Sequence, residues 1–153
     1  MSGTRNRVAV MHGVNLDTLG RRDPEIYGSE TLNQYEVRIH GFARDLDLEA
    51  SFFQTNHEGE FCEYLHRVPD TADAVLINAG AWTHYSWAIR DALEVAGKPA
   101  VEVHISDVSD RAVQGDSWRA ISVFDGLVVS KISGKGIDGY REALEIIKME
   151  LDT

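Results

Sequence analysis

Tyr27 closes the run Arg21-Arg22-Asp23-Pro24-Glu25-Ile26-Tyr27, which sets two guanidinium groups near a phenol. Tyrosine is a poor base in its ordinary state, but a neighbouring guanidinium favours the phenolate. The run lies in a stretch of about thirteen residues, Asn15–Gly28, with no clear periodicity, and loops that long tend to be functional. An ordinary surface loop with an Arg–Asp pair is the competing account. Glu102 and His104 form a second constellation. They sit two residues apart in an apolar, β-branched run, so an extended backbone turns both to the same side. A carboxylate there can fix the imidazole tautomer and support a protonated histidine as general acid. A structural histidine with its hydrogen bonds satisfied is the alternative. Ile105 and Ser106 follow at the strand end, where free N–H groups can hold a carboxylate.

Other chemistries are less well served. His57 and Glu58 are adjacent rather than at the i, i+4 spacing of a helical metal pair, and His84 has no matched partner, so no metal site is expected. Gly134-Lys135-Gly136 lacks the full phosphate-loop arrangement and reads as a turn before a helix. Trp82, Trp87 and Trp118 read as packing or subunit-contact residues. Net charge is −10, from 25 acidic against 15 basic residues, which argues against a nucleic-acid partner. No apolar run approaches the roughly 20 residues of a membrane span. The start, MSGTRNRVAVM, shows no signal-peptide core. A lone cysteine, Cys62, fits a reducing, cytoplasmic setting.

These residues must be positioned by the elements around them. At 153 residues the chain is expected to be one domain over residues 1–153. Apolar runs at Val8–Met11, Leu48–Gln54, Ala74–Ile77, Ala100–His104 and Phe124–Ser130 read as strands. Helical spacing marks Thr31–Leu46, with Thr31 and Gln34 as a capping box. A second helix, capped by Asn56, would bury Phe61, Leu65 and Val68. Thr83–Ala96 reads as a third, stopped by Gly97 and Pro99, and Gly136–Leu151 as the last.

Alternation of continuous apolar strands with amphipathic helices predicts a parallel sheet covered on both faces. Five strands in this length predict a flavodoxin-like three-layer α/β sandwich, order 2-1-3-4-5. Ligands bind beyond the carboxyl ends of such strands. The segments there are His12–Gly28, Gln54–Glu58, Asn78–His84 and Glu102–Asp107, all rich in Asn, His or Arg.

Four of these segments, in order and at similar intervals, resemble the type II 3-dehydroquinases. The family's GPNLNLLGxRxPxxYG is similar to Gly13–Gly28, its QSNHEGEL to Gln54–Phe61, and its INPGAYTHTSVAIRDAL to Ile77–Leu93. Its VEVHIS is matched letter for letter by Val101–Ser106. The resemblance implies a hydro-lyase that turns 3-dehydroquinate into 3-dehydroshikimate, in the shikimate pathway or in quinate breakdown. It implies no cofactor and no Schiff-base lysine. Tyr27, activated by Arg22, would remove the proton alpha to the ketone, and Asn15 would help hold a water at the enolate oxygen. His104, oriented by Glu102, would protonate the departing hydroxyl. Asn78 and the Ile105-Ser106 backbone would position the ring acid and its carboxylate. His84 would contact ring hydroxyls, aided by Asp91 of the partner subunit. The Arg22 loop would be a lid that excludes water. Family members are usually trimers assembled into dodecamers.

One stretch departs from the pattern. After VEVHISN the family has a segment like xxxREEFRHHSYxS, whose second arginine contacts substrate hydroxyls. Arg111 matches the first arginine and is expected to bind substrate. The second falls on Gly115, with a one-residue deletion nearby. Losing a charged hydrogen bond of this kind costs about 1.5–3 kcal/mol. Arg119 is a candidate substitute. Two alternatives therefore stay open beside the dehydratase: a paralogous lyase on a related ring acid, and a catalytically weak ligand-binding homologue. A receiver-like signalling domain is disfavoured, because His12-Gly13-Val14-Asn15 lacks the clustered acids such a domain needs after its first strand.

Overall fold

Along the first strand, β1 (Arg7–His12), successive side chains enter different cores: Val8 and Val10 join one buried cluster, Ala9 and Met11 another. A strand whose two faces are both covered must be apolar throughout, which is why this run shows no alternation. A computed structural model gives the structure of residues 4–153; residues 1–3 lie outside it, and with them the start of the segment read for a leader.

In chain order, β1 is followed by a 3-10 turn (Leu16–Thr18), α1 (Pro24–Tyr27), α2 (Leu32–Asp45), β2 (Glu49–Gln54) and α3 (Glu58–Thr71). Next come β3 (Ala74–Asn78), a second 3-10 turn (Gly80–His84), α4 (Trp87–Ala96) and β4 (Ala100–His104). The chain ends with α5 (Val108–Val113), a third 3-10 turn (Ser117–Ala120), β5 (Ser130–Ser133) and α6 (Ile137–Leu151). The strands form one parallel sheet in the order β2-β1-β3-β4-β5, as the alternation of elements predicts. Helices α2 and α6 cover one face through Tyr35, Ile39, Tyr140, Leu144 and Ile147, and α3 and α4 the other through Phe61, Leu65, Ile89 and Leu93. The architecture is a flavodoxin-like three-layer sandwich.

Three local expectations need correction. Phe124–Ser130 is not a strand. Asp125 and Gly126 (φ +85°) break it into turns, and the fifth strand is the more polar Ser130–Ser133. As an edge strand, paired only to β4, β5 needs little apolar surface. The helix expected from Thr83 begins instead at Trp87, because Gly80–His84 winds more tightly and Ser86 Oγ accepts from the Ile89 N–H at 3.1 Å. Asn56 does not cap α3. Its Oδ1 accepts from the Asn15 N–H at 2.8 Å and so ties the β1 loop to the β2 loop. The Thr31–Gln34 capping box forms as expected, and Gly97 ends α4 with φ +64°.

Candidate active site

The register sets His12 beside Gln54 on one side and Asn78 on the other, and pairs His104 with Ser133. The chain thus leaves the sheet near one level. The loops that follow β1, β3 and β4 line a pocket.

Tyr27 reaches this pocket from α1. Asp23 caps that single turn by accepting from the Glu25 N–H at 3.0 Å, Pro24 fixes its first residue, and Gly28 (φ +74°) ends it. The Arg22 guanidinium lies over the tyrosine ring, 3.8 Å from its centre. The hydroxyl belongs to another arginine: Arg111 Nη1 donates to Tyr27 Oη at 2.6 Å and to Ser106 Oγ at 3.1 Å. The pairing of Arg22 with the phenol oxygen expected from sequence is thus divided. Arg22 stacks on the face and Arg111, from α5, holds the oxygen.

Glu102 and His104 do share a side of β4. Glu102 Oε2 meets His104 Nε2 at 2.5 Å, and Oε1 accepts from Ser122 Oγ at 2.8 Å. Both residues are buried, and the carboxylate has a partner on each oxygen. With Nε2 committed to Glu102, Nδ1 is the nitrogen of His104 left for a ligand. His84 stacks against His104, with ring centres 6.0 Å apart. Its Nδ1 donates to the Ile121 carbonyl at 2.6 Å, which makes Nε2 an acceptor. Burial, chiefly, lowers the His84 pKa, with His104 and Arg119 adding to the shift.

Asn15 lies on the pocket wall in the left-handed region (φ +69°), which asparagine tolerates. Asn78 lines it from the end of β3. Ile105 and Ser106 line it too, with their carbonyls turned away to accept from the N–H groups of Gly136 (3.2 Å) and Gly134 (3.1 Å). A trans peptide then turns the Ser106 N–H opposite to the Ile105 carbonyl. Asp91 does not line this pocket; it is exposed on α4. Among the described residues no group of three His, Cys, Asp or Glu side chains is placed to hold a metal ion.

The family model described as Dehydroquinase class II matches residues 6–148. The chain belongs to the class II dehydroquinase family. It is similar to the 3-dehydroquinate dehydratase of Syntrophotalea carbinolica, 44% identical over 149 residues, covering 94% of this chain and 98% of that one. The relative of the same name from Halothermothrix orenii is 44% identical over 93% of each chain. Among solved structures, the type II dehydroquinase from Propionibacterium acnes superposes with a TM-score of 0.87 at 36% identity, covering 97% of this chain and 99% of that chain.

Set against the class II dehydroquinase pattern, the segment after Arg111 is longer than the family's, and no arginine is lost from it. Gly115 is exposed and does not line the pocket, with nothing within 4 Å of where its Cβ would stand. Arg119 lines the pocket instead, delivered by the Ser117–Ala120 turn. It follows an aromatic residue, Trp118, and precedes a serine, Ser122, by three, as the second arginine of REEFRHHS does. The two arginines stand eight apart here rather than four, so four residues are inserted and none is deleted. The expected loss at Gly115 is an error of register. The aromatic–arginine–serine spacing is the sequence signal that sets Arg119, the candidate substitute, in the place of the second arginine. Asp116, from the inserted stretch, accepts from Arg119 Nε at 3.0 Å and lies 3.7 Å from Arg111 Nη2.

Proposed function

We propose that this protein is a hydro-lyase that converts 3-dehydroquinate to 3-dehydroshikimate and water through an enolate, in the shikimate pathway or in quinate breakdown. Membership of the class II dehydroquinase family and the names of its relatives support this. The observation that carries the mechanism is the placement in one pocket of a tyrosine clasped by two arginines and of a histidine backed by a buried carboxylate.

Tyr27, as phenolate, removes the proton alpha to the ketone. Arg111 stabilises the charge at the oxygen, and Arg22 at the ring face and as the lid. The electrons move to the ketone oxygen, where a water held with the help of Asn15 stabilises the enolate. Collapse of the enolate expels the ring hydroxyl, which takes a proton from Nδ1 of His104. Glu102 supports that imidazolium. One proton leaves carbon and one joins the departing oxygen, so the step balances without a redox partner. The N–H groups of Ile105 and Ser106, with Asn78, hold the ring carboxylate and ring. His84 Nε2 accepts from a ring hydroxyl, and Arg119 donates to the hydroxylated edge. With Arg119 in the pocket, the readings as a paralogous lyase or a weak binder lose the observation that raised them.

The active form in this proposal is a trimer, further assembled to a dodecamer, in the cytoplasm, built from one domain per chain. Trp87, Asp91 and Val95 recur every fourth residue on α4 and are exposed beside the exposed Tyr85. A stripe of large apolar side chains around a carboxylate supports a subunit contact that brings Asp91 of the partner subunit toward His84. Incubating the purified protein with 3-dehydroquinate and following the conjugated enone absorbance of the product tests the proposal. Turnover is expected, and a folded protein that produces no enone overturns it.

A further inference from the structure

Behind Asn78 on the pocket wall lie two buried polar residues, His12 and Tyr140, that the reaction above does not use. His12 Nε2 and Tyr140 Oη are 2.9 Å apart, and Asn78 Nδ2 donates to the same Tyr140 oxygen at 3.0 Å. At the other end of the amide, Asn78 Oδ1 accepts from the Gly80 N–H at 3.3 Å. His12 and Tyr140 are fully buried, and His12 Nδ1 has no partner.

We infer that His12 and Tyr140 are positioning residues whose two hydrogen bonds fix the polarity of the Asn78 amide, so that Asn78 offers the substrate an N–H donor. The inference rests on the functional reading given above, for which Asn78 contacts the ring acid.

The direction of each bond follows from counting donors and acceptors. If Nε2 of a neutral His12 is bare, it accepts the Tyr140 proton. The Tyr140 oxygen then accepts from Asn78, and only the Nδ1–H of His12 stays unpaired. In the opposite tautomer Nε2–H and Asn78 would both donate to Tyr140. Its own hydroxyl proton would then have no acceptor, and the bare Nδ1 would have no donor. That arrangement strands two buried groups instead of one, and each stranded group is costly. Rotating the Asn78 amide is closed off as well, since it would set an NH₂ against the Gly80 N–H. Burial also pushes the His12 pKa down to about 4, which keeps the ring neutral. The pKa of Tyr140 is raised, again mainly by burial, which keeps its proton in place.

With one Nδ2 proton on Tyr140 and Oδ1 on Gly80, the second Nδ2 proton is the donor of this amide left over. A carboxylate or hydroxyl oxygen of the ring acid is the acceptor that suits it. His12 therefore acts on recognition from a place no ligand reaches.

The ¹⁵N ring signals of His12 in the labelled full-length protein, assigned by their loss in His12→Gln, test the wiring without reference to activity. A proton on Nδ1 and a bare Nε2 are expected; the reverse tautomer, or an imidazolium at neutral pH, overturns the inference. Steady-state kinetics with 3-dehydroquinate supply the second test. Tyr140→Phe and His12→Leu are each expected to raise KM roughly tenfold with a smaller change in kcat, the size of one lost hydrogen bond to a charged ligand. His12→Gln, which restores an acceptor near Nε2, is expected to return KM to within about threefold of the parent. A merely structural role would reduce the amount of active enzyme and leave KM alone, and that outcome overturns the inference. Should His12→Leu fail to fold, Tyr140→Phe gives the same readout. If the parent protein does not turn over dehydroquinate, the functional reading fails while the tautomer still decides the wiring.

Discussion

Arg111 donates to the Tyr27 hydroxyl at 2.6 Å across 84 positions of sequence. The proposed base and the arginine on its hydroxyl thus come from different segments, one after β1 and one after β4, and the bond exists only when both are in place. Arg111→Ala is expected to lower kcat more than Arg22→Ala, because it removes the hydrogen-bond donor to the oxygen that takes the proton in the proposed reaction. Losing a hydrogen bond to a charged group costs about 1.5–3 kcal/mol, roughly ten- to a hundredfold in kcat. Tyr27→Phe is expected to abolish turnover. Stopped or steady-state enone assays decide the order, and a larger defect in Arg22→Ala would return the principal role to Arg22.

In the proposed site Arg119, which lines the pocket, and not position 115, reads the hydroxylated edge of the substrate. Arg119→Ala is expected to raise KM by roughly ten- to a hundredfold, the value of a charged hydrogen bond. Gly115→Arg is expected to leave KM unchanged, since that residue faces solvent. Improved affinity in Gly115→Arg would show that the site had been short of an arginine after all.

The proposed acid, His104, is held by a chain through Glu102 to Ser122. Glu102→Gln keeps the shape but removes the charge that supports the imidazolium. A fall in kcat of about a hundredfold is expected, within the range for general acid catalysis. An unchanged kcat would mean that Glu102 is only a packing residue.

Burial lowers the His12 pKa from an ordinary 6.5 to about 4. Between those values the unfolded chain binds a proton that the folded chain refuses, so stability falls as pH drops from about 6.5 to 4 and is regained as pH rises. The loss attributable to His12 is on the order of 3 kcal/mol. Urea unfolding at several pH values should show it as a difference from His12→Gln, which cannot titrate. Parallel curves for the two proteins would place the acid sensitivity elsewhere.

The α4 stripe gives a test of assembly. Trp87→Glu is expected to yield smaller species by light scattering and to lower activity as Asp91 of the partner subunit is withdrawn. A variant that stays fully assembled would remove this face as the contact.

Much of this arrangement was legible in the sequence. Buried parallel strands must be apolar on both sides, so β1, β3 and β4 announce themselves, and the helices between them dictate the order of the sheet. The edge was less legible, because Phe124–Val129 is apolar without being a strand, while Ser130–Ser133 is a strand that needs few apolar residues. Glu102 and His104 could be paired from spacing alone, since period two is enforced by the backbone. Arg111 on Tyr27 could not, because contacts between loops depend on how far each loop reaches. Asp91 was assigned to another subunit's pocket and lies outside this one.

The four additional residues between Arg111 and Arg119 sit between two fixed posts. Arg111 is held by Tyr27 and Ser106. On the far side, Ser122 binds Glu102, the Ile121 carbonyl binds His84, and Arg90 Nη1 donates to the Val123 carbonyl at 2.6 Å. Doubling the length of a tethered span adds only about 0.6 kcal/mol of closure entropy. The stretch is therefore a splice point: chain can be paid in or taken out there while the guanidinium beyond it arrives at the same place. Numbering by position misplaces such a residue, whereas its moorings do not.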